Sequence, residues 1–249
     1  MGIFRKEEIK YYLITILLIA FIFGFNDRNS IFMLSSWITN FILVLIVVSI
    51  SFSLAHIMHK LVAQRLFAES EYELWSIRRW GFEPHQKTKI LKREFAFPIG
   101  IIFSVLVTLI SNGFWYFPLV GTYKLNEEKI KRIGKIFVRM TGYERALIYL
   151  AIPLTYLGLF FIFLFLTKIT GINFGLFVSI NQWMAIFSLL PLPNLIGAEI
   201  LFGSLMLYLF SIVFIIISLL LAPISLILAV ILALILGVVT VFAYLVKIS

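Results

Sequence analysis

The chain has little charge and no cysteine. Only 13% of its 249 residues are charged and none is Cys, whereas a soluble domain is about 25% charged. The absence of cysteine excludes disulfides, thiolate zinc sites and a cysteine nucleophile. No Asn-x-Ser/Thr sequence occurs either, so the chain carries no acceptor site for N-glycosylation.

The chain contains long apolar runs. The chain is 62% hydrophobic, with a mean hydropathy of +1.07. Continuous runs of about 18 or more apolar residues predict membrane helices, because a backbone in lipid must satisfy its hydrogen bonds within its own segment. The sequence therefore predicts an all-α integral membrane protein, a polytopic bundle of six or seven transmembrane helices.

The apolar runs divide a single membrane domain, residues 1–249, into seven predicted spans. They cover residues 11–25, 37–63, 95–115, 146–167, 172–190, 200–221 and 223–246. Two basic loops separate some of them, at 64–94 and 121–145. Because cytoplasmic loops carry excess Lys and Arg, we expect the N-terminus and the first basic loop in the cytoplasm of a prokaryotic cell.

The same charge rule conflicts with a third full span. If residues 95–115 crossed the membrane, the basic loop at 121–145 would lie outside the cell. Either the segment 95–115 is re-entrant or the rule fails here, and the sequence leaves both readings open. The net charge of +9 is explained by these loops, so we expect a lipid bilayer as partner and no nucleic acid.

Two stretches place polar residues at membrane depth, where ionisable groups indicate function. His56 and His59 are three residues apart and lie on nearly one helix face, which is a weak metal signal. The alternative is that they lie near a helix end beside Lys60. Further on, the segment 181–199 contains Pro191 and Pro193, which break a helix, and ends at Glu199. The alternative there is a tight turn with Glu199 at an interface.

Three motifs in these stretches occur in a known order. Residues 60–65 read Lys-Leu-Val-Ala-Gln-Arg, residues 151–156 read Ala-Ile-Pro-Leu-Thr-Tyr, and residues 187–197 read Phe-Ser-Leu-Leu-Pro-Leu-Pro-Asn-Leu-Ile-Gly after Asn181. In these motifs the chain resembles the site-2 protease family of intramembrane zinc metalloproteases, over about residues 50–202. The resemblance also implies a few short strands near 116–124.

The residues of the family's zinc site are replaced in this chain. In the family, two His and one Asp hold zinc and a Glu is the general base. Ala55 stands at the first His, His56 at the Glu, His59 at the second His and Ile196 at the Asp. Since Ala and Ile offer no lone pair, and catalytic zinc needs about three protein ligands, we expect no catalytic residue, no metal and no cofactor.

Three functions stay open at this point. The first is a non-catalytic, site-2-protease-like protein that binds or regulates a transmembrane partner, with Asn181, Ser188, Asn194 and Glu199 as expected contacts to the partner helix. The second is an active intramembrane metalloprotease with an unusual zinc site built on His56 and His59. The third is a small transporter, for which a broken span and a buried Glu199 would be typical.

Overall fold

The computed structural model describes residues 6–27, 32–76, 97–127 and 140–248. Helices dominate these residues, as the composition predicts. The elements in chain order are α1 (Lys6–Gly24), α2 (Leu34–Arg65), β1 (Ala68–Leu74), α3 (Ile99–Ile110), β2 (Gly121–Glu127), α4 (Gly142–Thr170), α5 (Gly175–Ser188), α6 (Ile196–Gly203), α7 (Leu205–Leu221) and α8 (Leu226–Ile248).

Three of the described helices are long and apolar enough to cross a membrane. They are Leu34–Arg65, Gly142–Thr170 and Leu226–Lys247, with hydropathies of 2.5, 2.3 and 3.1. The sequence predicts six or seven spans, and the difference has physical causes. α1 begins with a charged turn, α5 and α6 are separated by the proline segment, and α3 and α7 are shorter than the roughly 20 residues that a bilayer requires.

Polar side chains inside the long helices bond to their own backbone. The hydroxyls of Thr15, Ser49 and Thr155 each donate to the carbonyl four residues earlier, at 2.9, 2.6 and 2.6 Å. This bonding satisfies the hydroxyls without a partner helix. α4 begins at a capping box formed by Thr141 and Glu144, which supplies partners for the free N–H groups of its first turn.

The two described strands form an antiparallel ribbon. Ala68 lies opposite Glu127 and Leu74 lies opposite Gly121. β2 overlaps the strand region that the resemblance implies, whereas β1 lies in a segment that the sequence presents as a basic loop. The ribbon joins chain segments that are far apart in sequence, so Glu127 ends beside the C-terminus of α2.

Several contacts show which helix ends lie together. Lys60 near the end of α2 binds Glu8 near the start of α1, and His59 contacts the carbonyl of Ile148 near the start of α4. At the opposite end of the bundle, Lys168 of α4 donates to the carbonyl of Pro223, just after α7, at 3.2 Å. α1, α2, α4 and α7 therefore run between the same two ends.

The segment that contains α3 begins and ends beside the same residue, Trp75. The N–H of Trp75 donates to the carbonyl of Val120 at 2.9 Å, and the N–H of Gly100 donates to the carbonyl of Trp75 at 3.1 Å. The far tip of this excursion touches the end of α1, where Asn26 donates to the carbonyl of Asn112 at 2.9 Å. Residues 99–120 thus leave β1 and return to it, which is the geometry that the re-entrant reading of this segment predicts.

This arrangement predicts which cysteine substitutions share a side of the membrane. Gln64→Cys after the long run of α2 and Asn126→Cys in β2 should react with a membrane-impermeant maleimide from the same side. Asn173→Cys, beyond the end of α4, should react from the other side. All three positions are exposed, and the natural chain offers no competing thiol.

Labelling of intact and opened vesicles distinguishes the two topologies. If Gln64→Cys and Asn126→Cys were labelled from opposite sides, α3 would have to cross the membrane and the re-entrant arrangement would be wrong.

Candidate functional site

A buried carboxylate joins three elements at the charged end of the bundle. Glu8 of α1 is 4% exposed and Lys60 of α2 is 7% exposed. The Nζ of Lys60 donates to Oε2 of Glu8 at 2.6 Å, and the backbone N–H of Tyr72 in β1 donates to Oε1 at 2.9 Å. Both oxygens of the carboxylate are therefore engaged, which a buried charge requires.

The two histidines of α2 extend this network. Nδ1 of His56 lies 3.1 Å from the hydroxyl of Tyr123 in β2, and its Nε2 lies 3.6 Å from Oε1 of Glu8. His59 contacts the carbonyl of Ile148 through Nδ1 at 3.0 Å and Oγ of Ser70 through Nε2 at 2.8 Å. Because a carbonyl only accepts, Nδ1 of His59 carries the proton, and in the neutral ring Nε2 accepts from Ser70.

These contacts decide whether the residues fit zinc. Both ring nitrogens of His59 are bonded to protein groups, and Ala55 and Ile196 are buried apolar residues. Within the described residues, no three His, Cys, Asp or Glu side chains converge on a common point. The donor set of this site therefore does not fit a catalytic zinc ion, which takes about three protein ligands and an open position.

A small cavity lies beside Tyr72 and Tyr123, whose rings also contact His56. Phe52 of α2 and Ile196 of α6 contribute to its wall. The space has room for roughly two water molecules. Its lining is apolar except for five hydroxyl-bearing side chains: Thr15, Tyr72, Tyr123, Tyr156 and Ser188.

The tyrosines of the sheet keep this cavity neutral. Burial raises the pKa of the Tyr72 phenol, and burial also raises the pKa of the Tyr123 phenol well above its usual value, because the phenolate would lose its hydration. Tyr72 reaches the cavity across Gly121, where an added Cβ would lie 1.9 Å from its hydroxyl oxygen. Only glycine fits at that position.

The proline segment closes the cavity by backbone contacts. α5 ends at Ser188 and α6 starts at Ile196. The backbone between them packs closely on the start of α6: a Cβ added to Gly197 would lie 2.4 Å from the carbonyl oxygens of Leu189 and Leu190. The indole of Trp75 donates to the carbonyl of Pro193 at 3.1 Å, and Thr122 donates to the carbonyl of Asn194 at 2.5 Å. These two bonds satisfy carbonyls that the broken helix leaves free.

The four expected partner contacts lie in different surroundings. Asn181 is fully buried, and its Nδ2 donates to Ser51 of α2 at 2.9 Å. Ser188 is buried in the cavity wall, whereas Asn194 is exposed, with a φ of 61°. Glu199 lies 3.7 Å from Arg145, and both side chains are partly exposed. Only Ser188 of these four lines the cavity.

Sequence reasoning missed Glu8 and the sheet tyrosines. Glu8 stands in the charged first turn of α1, where an acidic residue ordinarily indicates an exposed helix start. Its neighbour Lys60 is 52 positions away along the chain, so no local pattern joins them. The alternation of Ser70, Tyr72 and Leu74 with three glutamates is a strand signal, although it lies inside a polar stretch.

Comparison with known proteins adds no assignment. No family model, curated protein or solved structure matches this chain. The chemistry of the site therefore has to be argued from its own residues.

The buried pair predicts an asymmetric response to substitution. Lys60→Met removes the ammonium group that binds the buried Glu8 carboxylate, and removing one partner of a buried pair lowers the free energy of unfolding by about 3–5 kcal/mol. The double variant Glu8→Gln/Lys60→Met should recover part of this loss, because the amide oxygen still accepts from Tyr72. Denaturation in mixed micelles measures the differences.

Lys168→Met is the matched control, since Lys168 is exposed and donates to a single backbone carbonyl; it should change the stability little. A double variant no more stable than Lys60→Met alone would show that charge compensation is not what holds these three elements together.

Proposed function

We propose that this chain is a non-catalytic, site-2-protease-like membrane protein that binds a transmembrane helix of a partner protein. The observation that carries the proposal is the cavity between β2, α4, α5 and α6. Its walls include Ser188 and Ile196, two positions of the third motif on which the resemblance rests. The motifs that shape a substrate site are retained, whereas the zinc ligands are replaced.

The membrane arrangement that accompanies this proposal has six crossings. α1, α2, α4, α7 and α8 supply five, and α5 with α6 supplies the sixth as a broken helix, since the end of α6 packs backbone to backbone on the start of α4 at Gly203 and Gly142. Among the described Lys and Arg side chains, Lys168 alone lies at the end opposite Glu8. The charge rule then favours a cytoplasmic N-terminus, and the membrane that we propose is that of a prokaryotic cell.

One face of α5 gives a partner helix a route to the cavity. Trp183 is 37% exposed, and its ring lies 6.0 Å from that of Phe187, in a tilted contact. Phe187 lines the cavity one turn further on. Membrane helices associate by close packing and interhelical hydrogen bonds. An aromatic surface that leads to a hydroxyl-lined cavity offers both kinds of contact.

The other two functions receive less support from the geometry. An active metalloprotease needs metal ligands and a base, and the nitrogens of His59 already serve as hydrogen-bonding groups. A transporter built on Glu199 needs that carboxylate inside a broken span, and it lies partly exposed beside Arg145 instead.

Metal content separates the binding protein from the metalloprotease. We expect protein purified in detergent without chelators to contain far less than one zinc per chain, because Ala55 and Ile196 supply no donor atoms. Elemental analysis by mass spectrometry measures this directly, and His59→Ala is the control. Stoichiometric zinc that disappears in His59→Ala would contradict the proposal and favour the protease.

Photo-crosslinking tests the proposed partner site. A photoreactive phenylalanine analogue in place of Phe187 should form adducts that map to a transmembrane segment of an intact partner in native membranes. The same analogue in place of Phe242, which is 67% exposed on the outer face of α8, is the matched control for chance collisions.

The two positions must give different adducts for the proposal to hold. If Phe187 and Phe242 captured the same proteins in the same proportions, the cavity would not be a binding site. Cleaved partner fragments at Phe187 would instead indicate proteolysis.

A further inference from the structure

Tyr156 differs from the other hydroxyl-bearing residues of the cavity because the described part of the chain supplies no hydrogen-bonding partner for it. The hydroxyl of Tyr72 donates to Thr15 at 2.9 Å, and Thr15 donates to the carbonyl of Tyr11 at 2.9 Å. Tyr123 bonds His56, and Ser188 donates to the carbonyl of Ala185 at 2.8 Å. Within the described ranges, no hydrogen bond engages the hydroxyl of Tyr156, although the residue is only 2% exposed.

The position of Tyr156 makes an unused hydroxyl there unusual. Tyr156 lies at the midpoint of α4, which runs from Gly142 to Thr170 and is long and apolar enough to span a membrane. Its hydroxyl faces the cavity, so a hydrogen-bonding partner has to come from whatever enters that space, because lipid supplies none. A phenol both donates and accepts, so its complement is a group with the same dual capacity.

The rest of the cavity restricts what that group can be. None of the described lining residues is Asp, Glu, Lys, Arg or His, and buried phenols stay neutral, so a charged group would find no counter-ion. The space for roughly two water molecules excludes a whole helix and admits the end of one side chain. Amide and hydroxyl side chains meet these conditions.

We propose that the cavity takes one neutral polar side chain, an amide or a hydroxyl, from the middle of the partner's transmembrane helix, with the Tyr156 hydroxyl as its hydrogen-bonding partner. This inference rests on the proposed function and adds the chemistry by which the partner is selected. The remaining lone pairs of Thr15 and Ser188 surround the same space. A partner helix with only apolar residues at its centre binds more weakly.

Model helices test the selection directly. Three apolar transmembrane peptides of Leu and Ala carry Asn at the centre, Leu at the centre, or Asn four residues from one end. Each bears a donor fluorophore, and the protein bears an acceptor on Lys247→Cys, which is exposed. Energy transfer in liposomes measures binding. The central Asn peptide should bind roughly three- to twentyfold more tightly than the other two, the range of interhelical hydrogen bonds in membranes.

Tyr156→Phe removes one oxygen and keeps the ring. It should lower binding of the central Asn peptide to the level of the Leu peptide and leave binding of the Leu peptide unchanged, which also shows that the variant is folded. Tyr208→Phe is the matched control: that buried hydroxyl donates to the carbonyl of Leu189 at 3.1 Å, outside the cavity lining, and the preference for central Asn should persist.

The possible outcomes separate this inference from the proposed function. Equal binding of all three peptides to the natural protein overturns the selection by Tyr156 and leaves helix binding intact, as does a preference for Asn that survives Tyr156→Phe. Failure of every peptide to bind overturns the proposed function and this inference with it.

Discussion

The arrangement of the site depends on one buried ion pair. Glu8 receives the ammonium group of Lys60 and the backbone N–H of Tyr72, so a single carboxylate fixes the first helix, the second helix and the ribbon. A charge in an apolar interior is tolerated only when its lone pairs are satisfied. The contact is strongly directional for that reason, and it sets the height at which β1 enters the bundle.

The position of β1 within the bundle in turn determines which segments meet beside the cavity. With Tyr72 held at Glu8, the strand reaches Trp75, whose backbone binds Val120 and Gly100 and whose indole binds Pro193. The re-entrant segment and the proline segment thus meet at one residue. Irregular backbone within a membrane protein requires such internal partners, because lipid supplies none.

Composition predicted the helices but not the contacts between them. Hydropathy located the long runs of α2, α4 and α8, and the prolines at 191 and 193 located the break before α6. The ion pair between Glu8 and Lys60, the strand β1 and the pairing of Glu199 with Arg145 lie beyond local patterns, since each depends on residues distant in sequence. A charged first turn, a polar loop and an acidic residue after a proline break ordinarily indicate exposed positions, so no local pattern predicted these contacts.

The predicted number of spans shows the same limit of local sequence patterns. Hydropathy treats residues 95–115 as equivalent to any other apolar run, although their helix covers only Ile99–Ile110. What brings the two ends of the segment together is the bond between Gly100 and Trp75 at its start and between Trp75 and Val120 at its end. The excess of basic residues in the segment after it conflicts with a full crossing, because charge reports the side of the membrane that a connection occupies, but it left both readings open.

In the site-2 protease family, whose motifs this chain resembles, a zinc ion joins the helix that carries the first motif to the segment after the proline break. Here the same segments are joined through the sheet instead. His59 bonds Ser70 of β1 and the carbonyl of Ile148, His56 bonds Tyr123 of β2, and β2 holds Asn194 through Thr122. A chain of hydrogen bonds therefore runs from α2 through β2 to the segment before α6. Such a chain can maintain the shape of the cavity without a metal, which is the structural condition that the proposed binding of a partner helix requires.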